Sequence, residues 1–281
     1  YDFEGSNLST ILDVLAYNTY ITSYNANMIS NEVFIDSATL RENVVALARN
    51  IGYVPRSKKS SRSSISFFVD MSSVSPTPAN ITLKAGPVAS TGGQFNNQSF
   101  VFGVPEDITV SVVDGIASFD RIEVYEGSYL SQTYVYSTRN PFQKFILPNV
   151  GIDLDSLVVS VRPSVDSSVS AKYTRQDELF DTVTKSTVTQ NSNIYFIQEV
   201  EGEQYEVIFG DGVFGKALND GNIVELTYIV TNGSSGNGVS NFTFSGSLSY
   251  VRNSVEIFVT NGISLVSSLL PSSGGESIES V

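Results

Sequence analysis

The sequence predicts an α+β chain that is mostly β, with an N-terminal helical hairpin followed by two β-rich, sandwich-like domains. Three observations predict it. Residues 7 to 34 place apolar side chains at helical spacing. From Ser64 onward the text breaks into short β-branched and aromatic runs separated by turn residues. Residues 206 to 238 then punctuate two such runs with closely spaced glycines. With 281 residues and 41% apolar content, the chain can bury more than one core. The expected divisions are 1–55 for a bundle-forming helical region, 56–62 for a basic linker, 63–175 and 176–265 for the two β-rich domains, and 266–281 for a linker to a further domain.

In the first helix Ile11, Val14, Ile21 and Met28 fall on a repeat of about 3.5 residues, interrupted by Asn18 and Asn25. Leu8, Leu12 and Leu15 form a second apolar row. The next segment opens at Ser37 as an N-cap, repeats at Leu40, Val44, Leu47 and Ile51, and closes with Gly52 at C′ and Pro55 beyond. One short helix cannot cover two apolar rows, so the excess is expected to pack against helices of a partner. Leu8, Ile11, Leu12, Val14, Leu15, Ile21 and Met28 are therefore the candidate subunit-interface residues. The alternative is a private helix pair docked on its own β-domain.

Residues 56 to 62, RSKKSSR, hold four of the sixteen basic residues of an acidic chain. Such a run is read first as a solvated linker. Its functional alternative is an electrostatic contact, through Arg56, Lys58, Lys59 and Arg62, with an acidic neighbour.

Eight short strands are expected next, at 64–69, 81–84, 100–104, 108–113, 122–125, 134–136, 145–147 and 157–161. Residues 85–99 read as an exposed loop anchored by Phe95. Residues 163–193 read as a connection with a strand or helical turn around Asp177 to Val183, and a second β-rich stretch spans 194–259. Within it, Val207 to Phe209 and Ile223 to Val230 read as two arms of a hairpin. Gly210, Asp211 and Gly212 supply the positive φ of a tight reversal, and Gly215 and Gly221 complete the structural turn.

Composition closes off much chemistry. Cysteine, histidine and tryptophan are absent, which removes disulfides, thiol nucleophiles, imidazole bases and the usual zinc ligands. A net charge of −13 argues against nucleic acid as a partner, and no stretch approaches the ~20 apolar residues of a membrane span. GDGVFGKA is a near miss to a phosphate-binding loop, because Ala217 stands where the magnesium-binding hydroxyl belongs, and the acidic spacing of a calcium loop is lacking. Three carboxylate groups leave a glycosidase formally open: Asp153 with Asp155, Glu201 with Glu203, and Asp177 with Glu178 and Asp181. The first pair reads as a turn before a strand and the second as a hairpin tip. No catalytic residue, cofactor, metal or small-molecule substrate is expected.

The glycine-rich text also carries a resemblance. Gly210, Asp211, Gly212, Gly215, Gly221, Tyr228, Gly233, Gly236 and Asn237 are similar to the FGDG…G…G…Y…G…GN signature of the baseplate-J-like family of contractile-tail phages, and the closing GGES text resembles that family's linker. The helical start resembles the amino-terminal part of T4-like baseplate wedge proteins. Its carriers are Asp2, Phe3, Gly5, Ser6, the run Leu15 to Thr19, Asn27, Met28, Asn31, Glu32, Arg41, Gly52, Tyr53 and Pro55. The resemblance implies a virion subunit of the tail baseplate, assembled in the bacterial host cytoplasm. It would join other wedge proteins and a second copy of itself in a six-fold ring around the tail tube, and transmit conformational change at contraction without a catalytic step. A receptor-binding or adhesin β-module and a tail polysaccharide hydrolase are the competing readings.

Overall fold

In the computed structural model, the described residues are 7–49, 52–93, 95–140, 142–176, 180, 181 and 186–280. The chain divides into two compact units. The first comprises residues 1–55 with Glu199–Gly202 and 280–281, and the second comprises 56–198 with 203–279.

The first unit holds α1 (Asn7–Glu32) and α2 (Arg41–Arg49). α2 starts at Arg41, three residues later than a Ser37 cap would place it. The Ser37 hydroxyl instead donates back to the Asn31 carbonyl at 2.6 Å. The capping work falls to Glu32, the last residue of α1. Its carboxylate accepts from the Thr39 N–H (3.0 Å) and hydroxyl (2.7 Å), the Leu40 N–H (3.3 Å) and the Asn43 amide (2.8 Å). These donors hold the Glu32 carboxyl down at a pKa of about 2. At the other end Gly52 takes φ +80°, with Gly52 N–H donating to Arg49 O at 2.9 Å and Tyr53 N–H to Ala48 O at 3.1 Å. This is the paired C-terminal bond pattern that a C′ glycine allows. Ile51 lies outside the described residues.

Among the described residues, the second unit is built of strands, with one short 3-10 turn at Gly233–Gly236. Six strands come first: β1 (Arg62–Asp70), β2 (Asn80–Leu83), β3 (Gly86–Thr91), β4 (Val101–Val104), β5 (Ile108–Val113) and β6 (Ile116–Glu126). Nine follow: β7 (Ser128–Val135), β8 (Phe145–Leu147), β9 (Ile152–Arg162), β10 (Ala171–Arg175), β11 (Phe180–Asp181), β12 (Ser186–Thr187), β13 (Ile194–Val200), β14 (Gln204–Phe209) and β15 (Ile223–Val230). Four close the series: β16 (Phe242–Phe244), β17 (Leu248–Arg252), β18 (Val255–Val259) and β19 (Ser267–Ser268). The mostly β, α+β class is as expected. All eight of the first expected strands overlap observed ones, five lying within them and 81–84, 100–104 and 134–136 overrunning by one residue.

The first six and last four strands form one sheet, ordered β16-β3-β4-β6-β5-β2-β17-β18, with β1 on β6 and β19 on β1. A second sheet runs β7-β15-β9-β10-β13-β14-β8. It curls into a barrel-like form, since the Tyr134 hydroxyl on β7 donates to Ile146 O on β8, joining the two ends of that order. The sheets therefore do not divide at 175/176. The chain leaves the first sheet after Glu126, builds the second, and returns at Phe242. A strand such as β16 completes the first sheet only by pairing with β3, about 150 residues earlier in the chain.

Each sheet has its own core. In β1, Ile65, Phe67 and Val69 are buried while Ser64, Ser66 and Phe68 point away, the period of two that a half-buried strand requires. Phe67 stacks on Phe119 at 4.8 Å, and Phe102 meets Phe242 edge-on at 5.1 Å. In the second sheet Leu147, Ile152, Tyr205, Val224, Leu226 and Tyr228 are almost fully buried. The segment expected as an exposed loop at 85–99 instead contains β3, whose Val88 and Ala89 are wholly buried, although Phe95 does anchor its turn against Phe100.

Candidate assembly interface

Helix α1 is 26 residues long and none of them is buried. Leu8, Ile11, Leu12, Val14, Leu15 and Met28 are all exposed, from 43% for Met28 to 62% for Val14, and Ile21 is half-buried. Sequence reasoning missed a third row. Tyr17, Tyr20 and Tyr24 sit three and four residues apart and are also exposed, with the Tyr20 and Tyr24 rings 6.5 Å apart and stacked. Their spacing was the available signal. A helix that is apolar on nearly every side is built to be surrounded.

α2 differs, because it buries Val45 and Ala48. In the same unit Arg41 grips Glu199, at the end of β13, through two bonds of 3.0 and 3.1 Å, and Arg49 donates to the Glu199 carbonyl. Glu199 is only 3% exposed, so this two-bond ion pair is among the better-shielded charge pairs of the chain.

The basic run at 56–62 is not a free linker. Lys59 and Glu276 exchange backbone bonds of 3.0 and 3.1 Å, Arg62 and Ser273 exchange bonds of 2.8 and 2.9 Å, and Glu279 N–H donates to Arg56 O at 3.1 Å. Ser57, Ser60 and Ser61 are buried. Arg56 pairs with Glu276; Arg62 pairs with Asp155 at 2.8 Å and lies over the Tyr125 ring at 4.9 Å. Lys58 and Lys59 have no ion-pair partner among the described residues, and both are half-buried. The segment expected as a closing linker is the other half of this ladder.

The same place gathers part of the signature, Gly233, Gly236 and Asn237. Asn237 Nδ2 donates to Gly275 O at 3.0 Å, and its Oδ1 accepts the Gly275 N–H at 2.9 Å with the Ser61 hydroxyl at 2.7 Å. Next to it Glu126, 1% exposed, accepts from the Thr231 hydroxyl (2.7 Å), the Asn232 N–H (3.1 Å) and the Asn232 amide (2.7 Å). Three donors replace the water that this buried carboxylate gives up. Gly233, Gly236 and Asn237 of the signature therefore serve a buried polar junction, a role that local periodicity does not reveal.

Around Asp211 the turn is real but not a hairpin. β14 and β15 are separated in the sheet by β13, β10 and β9, so residues 210–222 are a crossing connection. Asp211 Oδ1 accepts the Val213 and Phe214 N–H groups, each at 2.8 Å, and these bonds lower its pKa. Gly212, Gly215 and Gly221 have φ of +88°, +86° and +81°. Gly210 does not take positive φ. It is glycine for space, because a Cβ there would lie 2.3 Å from the Gly215 carbonyl carbon. Tyr228, also in the signature, is buried and donates to Asn149 Oδ1 at 2.6 Å.

The carboxylate pairs take structural places. Asp153 lies inside β9, not in a turn before it, and is fully buried, accepting the Ser60 N–H at 2.9 Å and the Asp155 N–H at 3.0 Å. It sits where residues 154–157 bulge out of register with β15. Glu201 and Glu203 flank Gly202 between β13 and β14, at a tip as expected. Asp177 and Glu178 lie outside the described residues. Among the described residues no group of acidic side chains is arranged to hold a metal, and no helix is long and apolar enough to cross a membrane.

Comparison with known proteins bears on the exposed helix directly. Residues 1–53 match the family described as baseplate wedge protein gp6-like, helical domain. Over 270 residues the sequence is 26% identical to baseplate wedge protein gp6 of Enterobacteria phage T4, covering 89% of this chain. The chain is a homologue of that wedge protein. It spans 38% of the length of this curated relative. The gp6-like match ends at residue 53, so it contains both α1 and α2 and stops before the basic run.

Proposed function

We propose that the chain is a structural subunit of a contractile-tail baseplate wedge, with α1 as its assembly element. The observation that carries this reading is a 26-residue helix with no buried residue and three rows of exposed apolar or aromatic side chains, within the segment that matches the gp6-like helical domain. Its partners are other wedge proteins and a second copy of itself, joined in a six-fold ring around the tail tube in the virion baseplate after assembly in the host cytoplasm. The interface residues are Leu8, Ile11, Leu12, Val14, Leu15, Ile21 and Met28. Lys58 and Lys59, the unpaired cations of the 56–62 run, are the electrostatic contacts to an acidic patch of a neighbour. Arg56 and Arg62 are already satisfied within the chain. The role is mechanical, with no catalytic step, and conformational change at contraction passes through the helices.

Covering α1 is favourable. Fully burying a large apolar side chain contributes about 1.5–3 kcal/mol, and these start about half exposed, so six or seven of them supply roughly 5–10 kcal/mol, of the same order as the cost of association. Co-expression with candidate wedge proteins followed by size-exclusion chromatography tests the reading. Stoichiometric co-elution is expected; a chain that stays monomeric and well behaved beside every wedge protein would count against it.

A further inference from the structure

The polar junction has a mechanical consequence. The chain enters the β unit at Arg56 and reaches its other limit at Glu279, and these two points are hydrogen-bonded at one end of the ladder that pairs residues 56–62 with 272–279. In the 272–279 segment only Ser272 and Gly275 are fully buried, and its one apolar side chain, Ile278, is half-buried. The ladder bonds, Arg56 with Glu276, the Asn237 carboxamide and the bonds of Ser272 to Gly236, Gly238 and Val239 hold the segment instead. Both sheets, in contrast, rest on large apolar cores. A segment held mainly by hydrogen bonds at its own edge, with no fully buried apolar side chain, belongs to the low-stability end of a fold.

We propose that residues 56–62 and 272–279 form a releasable clasp that opens as a unit ahead of either sheet. It is keyed by Gly275, where a Cβ would lie 2.3 Å from both the Gly233 carbonyl oxygen and the Ser61 hydroxyl. Because the two limits lie at the same end of an antiparallel pair, load across them peels the bonds apart in succession instead of shearing them together. Opening frees the Lys59, Arg62, Ser273, Glu276 and Glu279 amides and exposes Asn237, while β9 and β15 stay paired. The proposal stands on the clasp itself and not on the wedge reading.

Hydrogen exchange of the whole chain tests it. In the wild type, the five clasp amides are expected to exchange at least about tenfold faster than the Val159, Val224 and Leu226 amides of the barrel-like sheet. Lys59→Cys with Glu276→Cys places cysteines at directly opposed positions, where Cα atoms lie about 5.5 Å apart and suit a disulfide. The chain has no other cysteine. Oxidation should slow clasp exchange to near the sheet rate, and reductant should restore it. Gly275→Ala should speed clasp exchange and leave the sheets protected. Clasp amides exchanging at the sheet rate in the wild type would overturn the proposal, as would clasp exchange unaffected by the crosslink. If Gly275→Ala deprotects clasp and sheets together, the clasp is not a separate unit and the proposal fails.

Discussion

The Asn237 carboxamide holds the Gly275 peptide from both sides, donating to its carbonyl at 3.0 Å and accepting its N–H at 2.9 Å. Two residues 38 positions apart are thereby locked in the geometry of a backbone pair, with Ser61 completing the set at 2.7 Å. Asn237→Ala leaves the Gly275 N–H and carbonyl unpaired at a part-buried site. The expected loss is about 2 kcal/mol, near two hydrogen bonds with their desolvation. Denaturant titration should show it as a lower midpoint, while a variant indistinguishable from wild type would mean that water replaces the carboxamide freely.

At the crossing connection, Gly210→Ala is expected to cost about 2 kcal/mol, because the new Cβ collides with backbone and not with a movable side chain. Asp211→Ala should be milder, since Asp211 is exposed and loses only its bonds to two N–H groups that solvent can reach. Thermal melts rank the two. A chelator should leave the melting temperature unchanged; a substantial drop would indicate a calcium loop where a turn has been described.

The Glu32 cap makes the α1–α2 connection sensitive to acid. Its carboxyl has a folded pKa of about 2 against 4.5 for an unperturbed glutamate, so the capping is fully present above pH 4.5 and is lost as pH falls through about 2. Far-UV circular dichroism between pH 5 and pH 2 should show helix loss in the wild type. Glu32→Gln should start with less helix and show a flatter profile across that range. Equal profiles for both would remove Glu32 from the cap.

Lys58→Glu with Lys59→Glu should slow assembly at low salt and matter less near 1 M, where the Debye length falls to ~3 Å. Stopped-flow light scattering at several ionic strengths separates the possibilities. A salt-independent defect would point to packing, and no defect at any salt would show that the two cations stay solvated in the assembly.

The sequence disclosed what is local. Helical spacing located α1, Gly52 marked the end of α2, and alternation located most strands, because in each case the deciding contacts lie within a few residues. The errors share one cause. Residues 86–91 carry Gly, Pro and Ser and read as a loop, yet they are a strand because β4 and β16 lie on either side to pair with them. RSKKSSR looks solvated from its charges, whereas its serines face inward and its backbone pairs with residues more than 200 positions away. The hairpin expected around Asp211 fails for the same reason, since β15 finds β7 and β9 instead of β14. For the candidate interface, the two apolar rows of α1 were legible from spacing. Glu126 was not, because its donors at Thr231 and Asn232 are about a hundred residues away in sequence.

The claim that α1 drives assembly is tested most directly by Met28→Asp. Met28 is 43% exposed in the isolated chain, so the substitution should leave the β unit's melting transition in place. In a helix seam the same carboxylate would be desolvated without a partner, at a cost of several kcal/mol and a loss of at least about a hundredfold in affinity. Affinity capture of co-expressed wedge proteins by the tagged chain gives the measurement. The account predicts stoichiometric capture by the wild type and none by Met28→Asp at matched concentration; undiminished capture by a folded Met28→Asp chain would contradict it.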